Sequence, residues 1–342
     1  MDLRDKKTWA FFLVASLVAA LVVLEMGLRV GLGLGAPPLL RADSTVGYVF
    51  QANQDLHRFT NRVHINEYHQ RSESLSSAPD STVARLLFLG DSVTWGGVLT
   101  DQFETIPEEV ERRVAQRCSR PVEALNASAG SWSVGNLNGY VEKYGLFDSD
   151  VVVLQIGTHD LTQPKSTSDV VGHHPSYPNE NPTLALQELT VRYVWPRLRP
   201  YLPQWPGGGG SVRQKPAPEP KPGPKERLMQ NLAYLRALLA DIEEAGIPAV
   251  ILHTPNRDEV AENGKSEAST YRDRFLRVAD SMDVPVLNLK QEWSGRPQAR
   301  QLYRDYVHLN ERGNAVVADT LSEMLSRYVG DLCRSSGSSG QQ

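Results

Sequence analysis

Cysteine is scarce in this 342-residue chain: only Cys118 and Cys333 are present. Two thiols cannot build a disulfide-dense scaffold or a cysteine-ligated zinc site. A basic surplus is missing too. Lys and Arg number 36 against 40 Asp and Glu, a formal net charge of −4, whereas a nucleic-acid binder shows a basic face or stripe. No segment repeats with a solenoid or propeller period, which sets those folds aside. What the chain does have is apolar material. Hydrophobic residues make up 40% and charged residues 22%, a globular balance rather than a disordered one. The length fits one large domain or two modest ones.

One long apolar run stands near the N-terminus. Trp9 to Leu24 carries no charge; Glu25 and Arg29 interrupt it before apolar residues resume as far as Leu34. A membrane span needs about 20 apolar residues. The run suffices if Glu25 and Arg29 lie at the far interface, where Arg snorkels. Arg4, Lys6 and Lys7 precede the run and place the N-terminus in the cytoplasm. The expectation is a short stub (1–8) and a single-pass anchor (9–34) of the cytoplasmic membrane, with the rest periplasmic or extracellular. A cleaved signal peptide is the rival reading, although no small-x-small site precedes a polar start. In an oxidising compartment Cys118 and Cys333 could pair as a disulfide.

Residues 35–82 read as a linker, with Pro37 and Pro38, followed by a hairpin region with strands at Tyr48–Phe50 and Arg62–Ile65. Over 83–330 short apolar runs alternate with amphipathic stretches. Strands are expected at Arg85–Leu89, Val122–Leu125, Asp150–Ile156, Ala249–Leu252 and Val284–Leu289. Helices are expected at Pro107–Arg117, Asn136–Tyr144, Arg227–Ala245, Ser269–Met282 and Arg312–Tyr328. That alternation implies βαβ units, hence an α/β domain with a five-stranded parallel sheet in a three-layer, flavodoxin-like fold. Such sheets place their sites beyond the carboxyl ends of the strands.

Residues 162–225 break the pattern and read as an insertion, either a lid over the strand ends or a surface excursion. It should hold a helix over Pro182–Trp195, ended by Pro196. PGGGG at 206–210 and PAPEPKPGPK at 216–225 read as an extended, mobile tether. Residues 331–342 read as a disordered tail.

The chemistry-bearing residues stand at strand ends. The first strand of the domain runs into Gly90-Asp91-Ser92, which places a serine in a tight turn where a nucleophile can be exposed. Near the other end, Asp305-Tyr306-Val307-His308 offers a carboxylate and an imidazole from one loop. A serine needs a base to become a useful nucleophile, and the base needs an orienting group.

These blocks, in this order, resemble the SGNH hydrolases, also called GDSL esterases. The resemblance covers about residues 83–328, interrupted by the insertion. It implies Ser92 as nucleophile, His308 as base and Asp305 as the group orienting it. Ser92 and Gly130, from the Asn126–Trp132 stretch, would give backbone N–H groups to the oxyanion, with Gly135 as a fallback for Gly130. The third block departs from the family's Gly-x-Asn-Asp and reads Gly157-Thr158-His159-Asp160. His159 would then replace the Asn donor, since an imidazole also carries N–H, while Asp160 would hold the loop.

The stretch from Val63 to Asn66, with Arg71, resembles a hairpin of membrane-anchored relatives and should pack near the site. No metal or organic cofactor is required, and His173 and His174 lack further ligands. The function implied is an exported serine esterase acting on O-acyl, above all O-acetyl, groups of envelope or extracellular carbohydrate. Three alternatives remain at this point: an O-acyltransferase on an exopolysaccharide using the same triad, a catalytically idle glycan-binding or assembly protein, and a lipase or thioesterase, for which no separate acyl-chain groove motif stands in the sequence.

Overall fold

The apolar, β-branched runs form one five-stranded parallel sheet. A computed structural model describes residues 3–75, 83–118, 121–201, 222–260 and 267–334. The N-terminal helix α1 spans Leu3–Leu32; its Thr8–Leu32 segment, in which an 18-residue stretch has mean hydropathy 2.4, is long and apolar enough to cross a membrane. Two antiparallel hairpins follow: β1 (Leu40–Asp43) with β2 (Gly47–Phe50), and β3 (Gln54–Arg58) with β4 (Asn61–Ile65). Strands β1 and β3 were not read from the sequence. Leu40, at the end of the expected linker, is buried in the main core, and so are Val46, Tyr48, Val49, Phe50, Val63 and Ile65 of the hairpin region.

The sheet comprises β5 (Ala84–Gly90), β6 (Val122–Ser128), β7 (Val151–Gly157), β8 (Ala249–Thr254) and β9 (Val286–Asn288), ordered β6-β5-β7-β8-β9. That is the 2-1-3-4-5 order of flavodoxin-like sheets, in which the strand order reverses between β5 and β7. All seven residues of β5 and of β7 are buried, as expected for strands covered on both faces.

On one face, α3 (Ile106–Arg117) and α10 (Glu311–Arg334) close a core with Leu86, Phe88, Val110, Val114, Leu321 and Leu325. On the other lie α4 (Val134–Tyr144), α7 (Pro224–Glu244) and α8 (Glu267–Asp280). The short α2 (Ser92–Trp95) follows β5 directly.

Two boundaries differ from expectation. Helix α10 runs on to Arg334, past the expected start of the tail at 331; residues 335–342 are outside the described set. The insertion helix does not end at Pro196. It comprises α5 (Ala185–Glu188), a π-helical turn (Leu189–Val194) and α6 (Trp195–Leu198). Pro196 lies just past the π-helical turn, and the backbone stays right-handed helical on both sides of it, at Val194 and Arg199. The tether lies largely within 202–221, outside the described residues. Cys118 is disulfide-bonded; the side chain of Cys333, its expected partner, is also outside them.

Candidate active site

The turn after β5 carries Ser92, and local packing dictates its shape. Asp91 caps α2, its Oδ1 accepting the Val93 N–H at 2.8 Å. Gly90 is a steric requirement: a Cβ there would lie 2.2 Å from Thr94 Oγ1 and 2.8 Å from Gln155 Oε1. Gln155, a polar residue inside β7, accepts from the Asp91 N–H (3.2 Å) and the Thr94 hydroxyl (3.0 Å) and donates to Thr254 Oγ1 (2.9 Å). Asn126 is buried and donates to Thr94 O at 3.0 Å. Strands β6, β7 and β8 thus all brace the turn.

The loop before α10 brings the other two residues to it. His308 Nε2 lies 2.8 Å from Ser92 Oγ, and His308 Nδ1 lies 2.8 Å from Asp305 Oδ2. Asp305 Oδ1 accepts the N–H groups of Val307 (2.9 Å) and His308 (2.8 Å). Burial pushes this carboxyl up, but those two N–H groups and the His308 ring outweigh it and hold it below the usual carboxylate range. A charged Asp305 at Nδ1 selects the tautomer with a free acceptor at Nε2, facing the serine hydroxyl.

Gly130 lies in the turn after β6. A Cβ built on it meets nothing within 4 Å, so open space lies beside its backbone. Ser131, next in the chain, has φ +61°, a left-handed conformation unusual for a serine and a sign of a constrained turn. Tyr48 of β2 donates to Gly130 O. The start of the insertion braces the same turn: Gln163 donates to Ser131 O and Trp132 O at 2.7 and 3.1 Å, and the Tyr177 hydroxyl to Ser131 Oγ at 3.0 Å. Gly135 instead lies within α4, where a Cβ would come 2.9 Å from the Tyr234 ring; its smallness serves packing.

His159 follows β7 and turns back toward the serine turn. Its Nε2 lies 2.6 Å from Asp91 Oδ2 and 3.4 Å from Asp160 Oδ1. Nε2 is therefore committed to carboxylates, and the donor role of the family's Asn would fall to Nδ1, which is buried without a hydrogen-bond partner. Asp160 holds the loop, accepting the Gly157 N–H at 2.7 Å. Burial would lower the His159 pKa, but Asp160 and then Asp91 overcome it and raise it to about 10. Burial and the Asp91 charge push the Asp160 carboxyl up.

The donor atoms of Asp91, His159 and Asp160 lie within 4.8 Å of one another. Two ligands of one tetrahedral ion with bonds near 2.0–2.1 Å sit about 3.3 Å apart. The 2.6 Å contact fits a shared proton better than a shared ion.

A pH dependence follows. An imidazolium whose pKa is raised from 6.5 to about 10 by folding stabilises the folded state fully below pH 6.5. That stabilisation is lost as pH rises through about 10. Replacing the imidazolium removes the positive charge that Asp91 and Asp160 both face. His159→Asn is therefore expected to lower Tm most near pH 6, with the gap to wild type narrowing toward pH 10. Thermal melts across that range check this; a gap independent of pH would mean that the imidazolium does not hold the pair.

Sequence reasoning passed over several supporting residues. Asn231 of α7 donates to the carbonyls of Asp160, Leu161 and Gln163, fastening the third-block loop. Arg304 donates to Thr100 Oγ1 at 3.1 Å and to Gly96 O at 3.3 Å. Gln155 and Asn231 each had a readable signal, a lone polar residue within an apolar strand or on an apolar helix face.

The GDSL-like lipase/acylhydrolase family model matches residues 88–316. No curated protein sequence matches the chain. Among solved structures, an acetyl xylan esterase, AlAXEase, is similar at 17% identity over 70% of this chain and 99% of its own, with a TM-score of 0.44. A lipase/acylhydrolase from Enterococcus faecalis gives 15% identity, 71% and 96% coverage and a TM-score of 0.42. An acetylxylan esterase from Geobacillus stearothermophilus gives 13%, 73%, 97% and 0.42. The family match spans two-thirds of the sequence and runs from the strand carrying Ser92 to the helix behind His308, so the chain belongs to the GDSL-like lipase/acylhydrolase (SGNH) family and is an ester-hydrolysing enzyme.

Proposed function

We propose that this protein is a membrane-anchored serine esterase that removes O-acyl, above all O-acetyl, groups from carbohydrate of the cell envelope. Its catalytic domain lies on the outer side of the cytoplasmic membrane. The observation that carries the mechanism is the unbroken relay at 2.8 Å and 2.8 Å from Ser92 through His308 to Asp305. Ser92 Oγ attacks the ester carbonyl while His308 Nε2 takes its proton. Backbone N–H groups of Ser92 and Gly130 hold the oxyanion. The protonated His308 returns the proton to the leaving alkoxide, and water, activated by the same imidazole, releases the acid and frees Ser92.

A small acyl group suits the setting. The side chains of Asp305 and His308 are 51% and 31% exposed, so the relay stands at a rim rather than in a trough. A long acyl chain needs apolar walls, worth about 0.8 kcal/mol per buried CH₂; a short one on a bulky polar alcohol does not. The outer location is supported by the apolar α1 and by Arg4, Lys6 and Lys7 ahead of it.

The substrate test compares acetate release from acetylated xylo-oligosaccharide and p-nitrophenyl acetate with hydrolysis of p-nitrophenyl palmitate by the full chain in detergent. At least tenfold higher kcat/KM on the acetyl esters is expected; the reverse ranking would sink the carbohydrate reading. Alkaline-carbonate extraction of membranes tests the anchor, which should stay in the pellet.

A further inference from the structure

The insertion meets the apolar helix. Glu25 of α1 accepts the backbone N–H groups of Ala185 (2.8 Å) and Leu186 (3.0 Å), at the start of α5. Arg29 pairs with Glu25 at 2.7 Å and donates to Thr183 O at 2.8 Å. Beneath them, Arg58 of β3 and Glu188 form a buried ion pair, and the Gly35 N–H donates to Glu188 at 2.6 Å. Leu28, Leu34 and Ala185 are buried together. The first turn of α5 is therefore fixed beside the last turns of α1. Sixteen residues, Trp9 to Leu24, rise about 24 Å at 1.5 Å each, about 6 Å short of the roughly 30 Å hydrocarbon core, a mismatch that local thinning and snorkelling of flanking residues take up. With that stretch in the membrane, Glu25, Arg29 and the start of α5 lie at headgroup level.

From that level the segment 184–201 shows two faces. Ala185 and Glu188 are buried against the protein. Leu184, Val191, Val194, Trp195, Leu198 and Tyr201 are exposed, from 39% for Val194 to 86% for Tyr201. The spacing 191, 194, 195, 198 is that of a helical stripe. Arg197 and Arg199 border it, while Arg192 turns inward to Glu188 at 3.8 Å, and no acidic residue occurs between Leu189 and Tyr201. An apolar stripe with interfacial Trp and Tyr and flanking Arg matches a helix lying in a membrane surface. The arginines complement anionic headgroups.

We propose that Leu184–Tyr201 is a second membrane contact, a foot resting in the headgroup layer of an anionic bilayer beside α1. It rests on the reading of α1 as a membrane anchor. Two attachments fix the orientation of the domain over the membrane, where one helix would leave it free to swivel. The same insertion braces the Gly130 turn through Gln163 and Tyr177, so the foot and the oxyanion turn share one piece of chain.

The test uses the full chain in vesicles of phosphatidylcholine and phosphatidylglycerol whose acyl chains are brominated near the headgroup, which quench nearby tryptophan. Wild type is compared with Trp195→Phe and Trp9→Phe, both at exposed positions. The proposal expects each variant to lose a comparable share of the quenched fluorescence. If Trp9→Phe loses its share and Trp195→Phe is quenched like wild type, the foot is wrong while the anchor stands. If neither variant differs from wild type, the anchor reading fails and takes the foot with it.

Discussion

Ser92→Ala lowers kcat/KM for p-nitrophenyl acetate by about 10⁴-fold or more, the scale seen when a triad nucleophile is removed. The loss comes from one atom. Without Oγ no acyl-enzyme forms, and His308 has no proton to take from it. Folding should be untouched, because the turn is held by the Asp91 cap, Gln155 and Asn126 rather than by the serine hydroxyl. Melting and circular dichroism should match wild type. Asp305→Asn should fall by a similar factor, since an amide at Nδ1 permits the tautomer that points a proton at Ser92. Retention of the wild-type rate by Ser92→Ala would falsify the relay and move attention to Asp91, His159 and Asp160. The double variant carrying both substitutions should be little slower than the worse single one, because the three groups act as a unit.

The fold was legible because period and order agree at every strand. DVVVLQI is apolar on both faces, which marks an interior strand, although the task of its lone Gln155 went unread. The Ser92, Asp305 and His308 blocks were readable for the same reason: each closes a strand or opens a helix where parallel sheets gather their sites. The partners of His159 were not readable. Sequence shows an imidazole where an amide is usual, but its direction depends on Asp91, 68 residues away, and on the adjacent Asp160. The docking of residues 35–43 was hidden as well, because Pro37 and Pro38 look like linker whatever their neighbours cover, whereas the packing of Val63–Asn66 and Arg71 was expected without its partners. The grip of the insertion on α1 depends on Glu25 and Arg29, which in one dimension only interrupt an apolar run.

Arg71 is where that hidden packing matters most for the site. It follows the β3–β4 hairpin and is fully buried. A guanidinium has five N–H donors, and here five acceptors meet them. Nη1 donates to Trp95 O (2.6 Å) and Gly97 O (2.7 Å), Nη2 to Arg62 O (3.2 Å) and Thr100 O (2.8 Å), and Nε to Gln102 Oε1 (3.2 Å). Three of these acceptors belong to the loop leaving α2, which carries Ser92. Burial pulls the Arg71 pKa down to about 10, so the group is still charged near neutral pH. Arg71→Met fills much of the volume but leaves those acceptors without donors, each costing about 1–3 kcal/mol. With partial relaxation the expected destabilisation is about 4 kcal/mol, or a fall in Tm of about 8–16 °C for a domain of this size. Activity should drop at least tenfold below what the remaining folded fraction supports, because the serine turn loses its rear support. Arg71→Lys, with three donors on one nitrogen, should recover only part of either loss. A melt of Arg71→Met within about 2 °C of wild type would mean that the loop from Trp95 to Thr100 holds its shape without the guanidinium, and the hairpin would then be packing alone.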